Sequence, residues 1–269
     1  MVKKLFKHEI KYYIRSLTPV YIVLLGIAVM GRILECFEAQ TTSYSILRGS
    51  SVFALVVGIL ATVGLTLAFA IIRYYKNMFS GEGYLTLTLP VTSGQHLFVK
   101  LGTALLAMLC SFVVSVLAVC VFTVGDWLRE LVKAGVYIFR ESFVPEFGVH
   151  LPFLIAEFIV AVICAVIAEI LLYYMCISLG QLFRKNRVLA AVGVYFGLYM
   201  IFQVLATVVS IVMAIFLSDQ IDAIERWIQM YTPIAAHIIL GICLLGNIIA
   251  SLIYLLISRY VLTKRLNLE

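Results

Sequence analysis

Two carboxylates interrupt one of the longest apolar runs of the chain. Glu157 and Glu169 both fall between about Leu151 and Leu179, and they are the only acids inside a candidate span. Twelve residues apart on a helix, they are separated by about 18 Å of rise and about 120° of rotation. A two-carboxylate site sharing a proton or a metal therefore cannot form on this helix alone. Glu157 lies about two turns from one end, where a carboxylate reaches headgroups or water. Glu169 lies near the middle, where a charge costs at least ~2.5 kcal/mol on insertion scales. It is expected to be protonated, paired or facing a wet cavity, with His237, Asn247 or Gln203 as partner. Two readings stay open for it: it lines a transport path, or it braces two helices through a hydrogen bond.

Other chemistry is ruled out by pattern. No Gly-x-x-x-x-Gly-Lys-Ser/Thr phosphate loop occurs, and Gly81-Glu82-Gly83 lacks the lysine and the preceding strand. His8, His96, His150 and His237 are scattered, with no spacing that suits a membrane metalloprotease, and no Gly-x-Ser-x-Gly elbow is present. Five of the six cysteines (Cys110, Cys120, Cys164, Cys176, Cys243) sit inside apolar runs and Cys36 follows the first run, without CxxC or Cys/His spacing. They read as small apolar side chains and not as disulfides or metal ligands. These absences predict a chain that is no enzyme, with no catalytic residue, no metal and no cofactor of its own.

The elements that must position the carboxylates are membrane spans. Of 269 residues, 64% are hydrophobic and 13% charged, whereas a soluble domain is nearer half apolar. Runs of the ~20 residues needed to cross a bilayer recur. The fold class is all-α, a single polytopic membrane domain over 1–269, because no polar stretch is long enough to bury a core. The net charge of +6 is not a nucleic-acid footprint, since the basic residues cluster beside the spans and no fold surrounds a patch.

Residues 1–16 are amphipathic at helical spacing. Phe6, Ile10, Tyr13, Ile14 and Leu17 share one face, and Lys4, Lys7, Lys11 and Arg15 the other. A helix lying in the headgroup region fits that pattern. No cleavage site follows, so the first span is expected to remain uncleaved. Six spans are predicted, at about 17–34, 51–74, 101–124, 151–179, 188–217 and 234–257. Counting Lys and Arg puts fourteen on the side of the termini and of the central loop, against six on the other. Both termini and the loop are accordingly expected in the cytoplasm.

On the outer side, residues 126–141 place Trp127, Leu128, Leu131, Val132, Ile138 and Phe139 on one helical face, with Asp126 as a candidate cap. Residues 218–231 do the same with Ile221, Ile224 and Ile228, and Pro233 marks a new helix start. Surface helices and short re-entrant ones both satisfy this pattern. In the fifth span Gly193 and Gly197 form a small-xxx-small pair, suited to packing within the subunit or to a dimer contact.

The stretch 75–100 between the second and third spans is longer than a reverse turn needs. It contains Gly81-Glu82-Gly83-Tyr84-Leu85, then Leu87, Leu89-Pro90-Val91-Thr92, and Lys100 opening the next span. Pro90 breaks a helix, and Thr92 or Ser93 offers a cap for the next one.

Six spans, a basic amphipathic start and this loop resemble the ABC type-2 exporter permeases, over essentially the whole chain by architecture. Members of that family carry a glycine and an acid here, a Leu-rich turn, a Pro followed by a small polar residue, and a basic residue at span three. The resemblance implies a permease subunit in a bacterial plasma membrane, paired with a second copy or a similar permease. Separate ABC ATPase subunits, carrying the ATP and Mg, would dock on Gly81, Glu82, Gly83, Tyr84, Leu85, Leu87, Leu89 and Pro90. Export of a drug, an antimicrobial peptide or a lipid-like molecule is then expected, with Glu157 and Glu169 as candidate path residues. The segment 125–150 is longer than the family minimum. A secondary transporter or channel, and a membrane anchor that transports nothing, stay open beside this reading.

Overall fold

The computed structural model describes residues 2–35, 37, 42–79, 92–183, 185–216 and 218–264. Every regular element among them is helical, and six helices are long and apolar enough to cross a membrane. The chain divides into two compact units, Met1–Tyr137 and Ile138–Glu269.

The first unit is built on α1 (Val2–Glu35), α2 (Thr42–Phe79) and α3 (Ser93–Thr123), followed by α4 (Asp126–Ile138). The amphipathic start and the first span are one continuous helix of 34 residues, with Pro19 inside it. The boundary expected near residue 16 is not a break. At 1.5 Å per residue α1 is about 51 Å long, against a hydrocarbon core of about 30 Å. α2 and α3 likewise run past the lengths read from hydropathy, because a helix continues into the headgroup region while its backbone bonds are satisfied.

Three layers tie α1, α2 and α3 together. At one end the ring of Phe122 lies against Gly31, where an added Cβ would collide with it. Only glycine admits the ring there. Leu24, Ala28, Leu55 and Ala118 complete that apolar cluster. In the middle, Ser111 Oγ joins Tyr21 Oη at 2.8 Å and Thr66 Oγ1 at 2.6 Å. Thr66 also donates to the Thr62 carbonyl at 2.7 Å. Such hydroxyl bonds hold helices together where lipid gives no hydrophobic drive. The third layer, at the opposite end, is the site described below. Thr92 caps α3 as expected: its Oγ1 accepts from Gln95 N–H, and Gln95 Oε1 accepts from Thr92 N–H, a reciprocal capping box.

In the second unit a π-helical turn (Phe139–Phe143), α5 (Val144–Phe147) and a 3-10 turn (Gly148–His150) lead into α6 (Leu151–Gly180). Phe139, Phe143 and Phe147 stack in sequence, with centroids 6.3 and 5.9 Å apart. α7 (Arg187–Phe216), α8 (Ser218–Met230) and α9 (Thr232–Lys264) follow. α6 packs against both α7 and α9, and its C-terminal half buries Ile170, Leu171, Tyr174 and Met175. Gly180 meets Ala191 so closely that a Cβ would lie 2.7 Å from the Ala191 backbone. Beyond Ala191, α7 buries nothing. In the segments 126–141 and 218–231, Val132, Ile138, Phe139, Ile221 and Ile224 are exposed and Ile228 is partly buried, while the side chains of Trp127, Leu128 and Leu131 lie outside what the structure describes.

Candidate functional site

A densely bonded polar site lies in the first unit and centres on Glu9. In sequence Glu9 is a lone acid among lysines, and the reading above gave it no role. Here it is 2% exposed. Its Oε2 accepts from Arg73 Nε at 2.9 Å, and its Oε1 accepts from Asn77 Nδ2 at 2.9 Å and from Lys100 Nζ at 3.1 Å. Three helices thus converge on one carboxylate.

Each helix contributes at a spacing of three or four residues, the interval that puts side chains on one face. From α1 come Glu9, Tyr12 and Tyr13. The Arg73 guanidinium sits 4.3 Å above the Tyr12 ring, and Tyr13 is buried beneath. From α2 come Arg73 and Asn77, and from α3 His96 and Lys100. His96 is 1% exposed, and neither of its ring nitrogens finds a partner among the described residues.

The chemistry of this site is structural and electrostatic. Two cations and an amide on one buried carboxylate make it a counter-ion that joins three helices. Removing one partner of such a pair costs ~3–5 kcal/mol, because the other charge is left buried and uncompensated. The ends of α1, α2 and α3 therefore move together or break the node. Arg73 and Asn77 come just before residues 80–91, and His96 and Lys100 just after. Gly81, Glu82, Gly83, Tyr84, Leu85, Leu87, Leu89 and Pro90 themselves lie outside the described residues.

In the second unit, Glu157 is half-buried and its Oε2 lies 2.7 Å from His237 Nδ1. The His150 and His237 rings meet edge to face at 5.4 Å. His237, expected above as a partner of Glu169, therefore belongs to Glu157. The other two expected partners are also corrected. Asn247 donates to the Cys243 carbonyl of its own helix, and Gln203 is exposed with only its carbonyl engaged, by Thr207. The neighbour of Glu169 on its own helix face is Tyr173, one turn along α6. Tyr173 and Tyr195 stack at 5.4 Å with 22° between planes.

A side chain added at Gly193 or Gly197 would meet nothing within 4 Å, so the pair serves no close packing among the described residues. Cys110, Cys120, Cys164, Cys176 and Cys243 are free thiols. No group of three or more His, Cys, Asp or Glu side chains suited to a metal occurs among the described residues. No family model matches the chain, and neither a curated protein nor a solved structure matches it.

Proposed function

We propose that this chain is the membrane-spanning subunit of an ATP-driven exporter of the ABC type-2 kind. A separate ATPase binds its central loop, and a second copy or a similar permease completes the translocator. The observation that supports this reading most is the Glu9 node. If the central loop receives the push of an ATPase, its two flanks need a rigid attachment to the spans. Arg73 and Asn77 on one flank and Lys100 on the other are bonded to one carboxylate of α1. A force on the loop would then reach three spans at once. The charge asymmetry supports a cytoplasmic side for that loop and for both termini, and the exporter reading implies a bacterial plasma membrane. No ATP-binding residue is assigned to this chain, and the nucleotide and Mg belong to the partner.

The test is reconstitution of the purified chain with its co-expressed ATPase in proteoliposomes. ATP-dependent substrate movement that stops when the ATPase is left out is the expected result. Glu82→Lys is expected to abolish substrate stimulation of hydrolysis while the chain stays folded. Transport driven by an ion gradient, without any ATPase, would replace this reading by a secondary transporter.

A further inference from the structure

Glu169 stands in the middle of α6 with its carboxylate exposed. Among the described residues no Lys, Arg or His pairs with it. An ionised carboxylate is costly within an apolar span unless a positive charge meets it. The groups that do surround it are aromatic. Tyr173 lies one turn along α6 from Glu169, on the same face, and its ring stacks on that of Tyr195. Tyr173 and Tyr195 are each partly exposed, so α6 and α7 both present ring surface here.

A carboxylate beside aromatic faces is the combination that recognises an organic cation. The ring quadrupole attracts a diffuse positive charge, and the carboxylate fixes its position. An anion or a neutral lipid would gain nothing from Glu169. A small hydrated metal ion would need more oxygen or nitrogen ligands than are gathered here.

We propose that Glu169, Tyr173 and Tyr195 form a binding site for an amphiphilic organic cation carrying an ammonium or phosphonium group. As a substrate site the assignment rests on the exporter reading above; as a binding site it stands without it. The stacked rings flank the carboxylate, and the cation takes the place that no described Lys, Arg or His fills. The open surface of α7 beside the site gives an amphiphile access from the lipid without a closed tunnel.

The experiment measures equilibrium binding of tetraphenylphosphonium to the full-length chain in nanodiscs, with empty nanodiscs as background. Tetraphenylborate, equal in shape and opposite in charge, is the control. Wild type is expected to prefer the cation by about tenfold or more after correction. Glu169→Gln, checked for folding by circular dichroism, is expected to remove that preference. Tyr195→Phe keeps the ring face and should hold affinity within about threefold, whereas Tyr195→Leu should lose it. Equal binding of the two ions by wild type, or a preference that survives Glu169→Gln, overturns the site. The wild-type comparison decides even if a variant fails to fold. No ATPase takes part, so loss of this site leaves ATP-driven export intact as a reading, and cation binding without ATP-driven export would remove that reading and keep the site.

Discussion

Glu9 and Lys100 are 91 residues apart in sequence and 3.1 Å apart in space. Their pairing closes the first unit at the end where residues 80–91 leave and return. Glu9→Gln keeps the shape and removes the negative charge that faces Arg73 and Lys100. The expected loss is ~3 kcal/mol or more of unit stability, read as a lower midpoint in thermal unfolding of the purified protein. A midpoint unchanged from wild type would show that the node is solvated and carries no load.

The contact of Gly31 with Phe122 makes a sharper packing test. Gly31→Val puts a branched side chain where the ring lies, at an expected cost of ~1–3 kcal/mol. Phe122→Ala creates the opposite fault, a void. The double variant should recover part of the loss. Strictly additive single losses would mean that the two residues do not touch.

Gly193 and Gly197 give the reverse expectation. A Cβ at either meets nothing within 4 Å, so Gly193→Val should leave unfolding of the chain within about 0.5 kcal/mol of wild type. If a second copy packs on α7, the same change should lower the dimer fraction in crosslinking or light scattering. A stable chain with an unaltered dimer fraction would remove these glycines from the interface.

Orientation is tested with single cysteines at Ser80 and Asp219 in a cysteine-free background. An impermeant thiol reagent added to intact cells should label the second and spare the first, as the fourteen-to-six charge count requires. The opposite pattern inverts the topology.

The spans were legible because hydropathy is a property of consecutive residues. The caps were legible because they are local chemistry: Thr92 with Gln95, and Pro233 at the start of α9. The Glu9 node was not, because its partners lie 64 to 91 residues away. A signal existed: a lone acid in a basic segment, on the same face as Tyr13 and Leu17, with Arg73–Asn77 and His96–Lys100 each spaced by one turn. The misassignment of His237 has a different cause. Hydropathy places Glu157, Glu169 and His237 at depths but not at rotations, and the register of α9 on α6 decides which carboxylate the imidazole meets. Tyr173 was missed for a related reason, since a tyrosine in an apolar run reads as packing until its neighbours are placed.

The close approach of Gly180 to Ala191 bears on how the chain is made. α6 and α7 meet backbone to backbone across a short turn in which Asn186 adopts a positive φ of 54°, so the pair is complete before α9 has been synthesised. Two apolar helices joined this way can leave the translocon as one hairpin, with the basic residues Lys185 and Arg187 held back at its tip. Glu169 would then enter the bilayer already accompanied by Tyr173 and Tyr195, and never as a solitary charge. The order of synthesis itself thus shields an acid that the folded chain leaves exposed within a span.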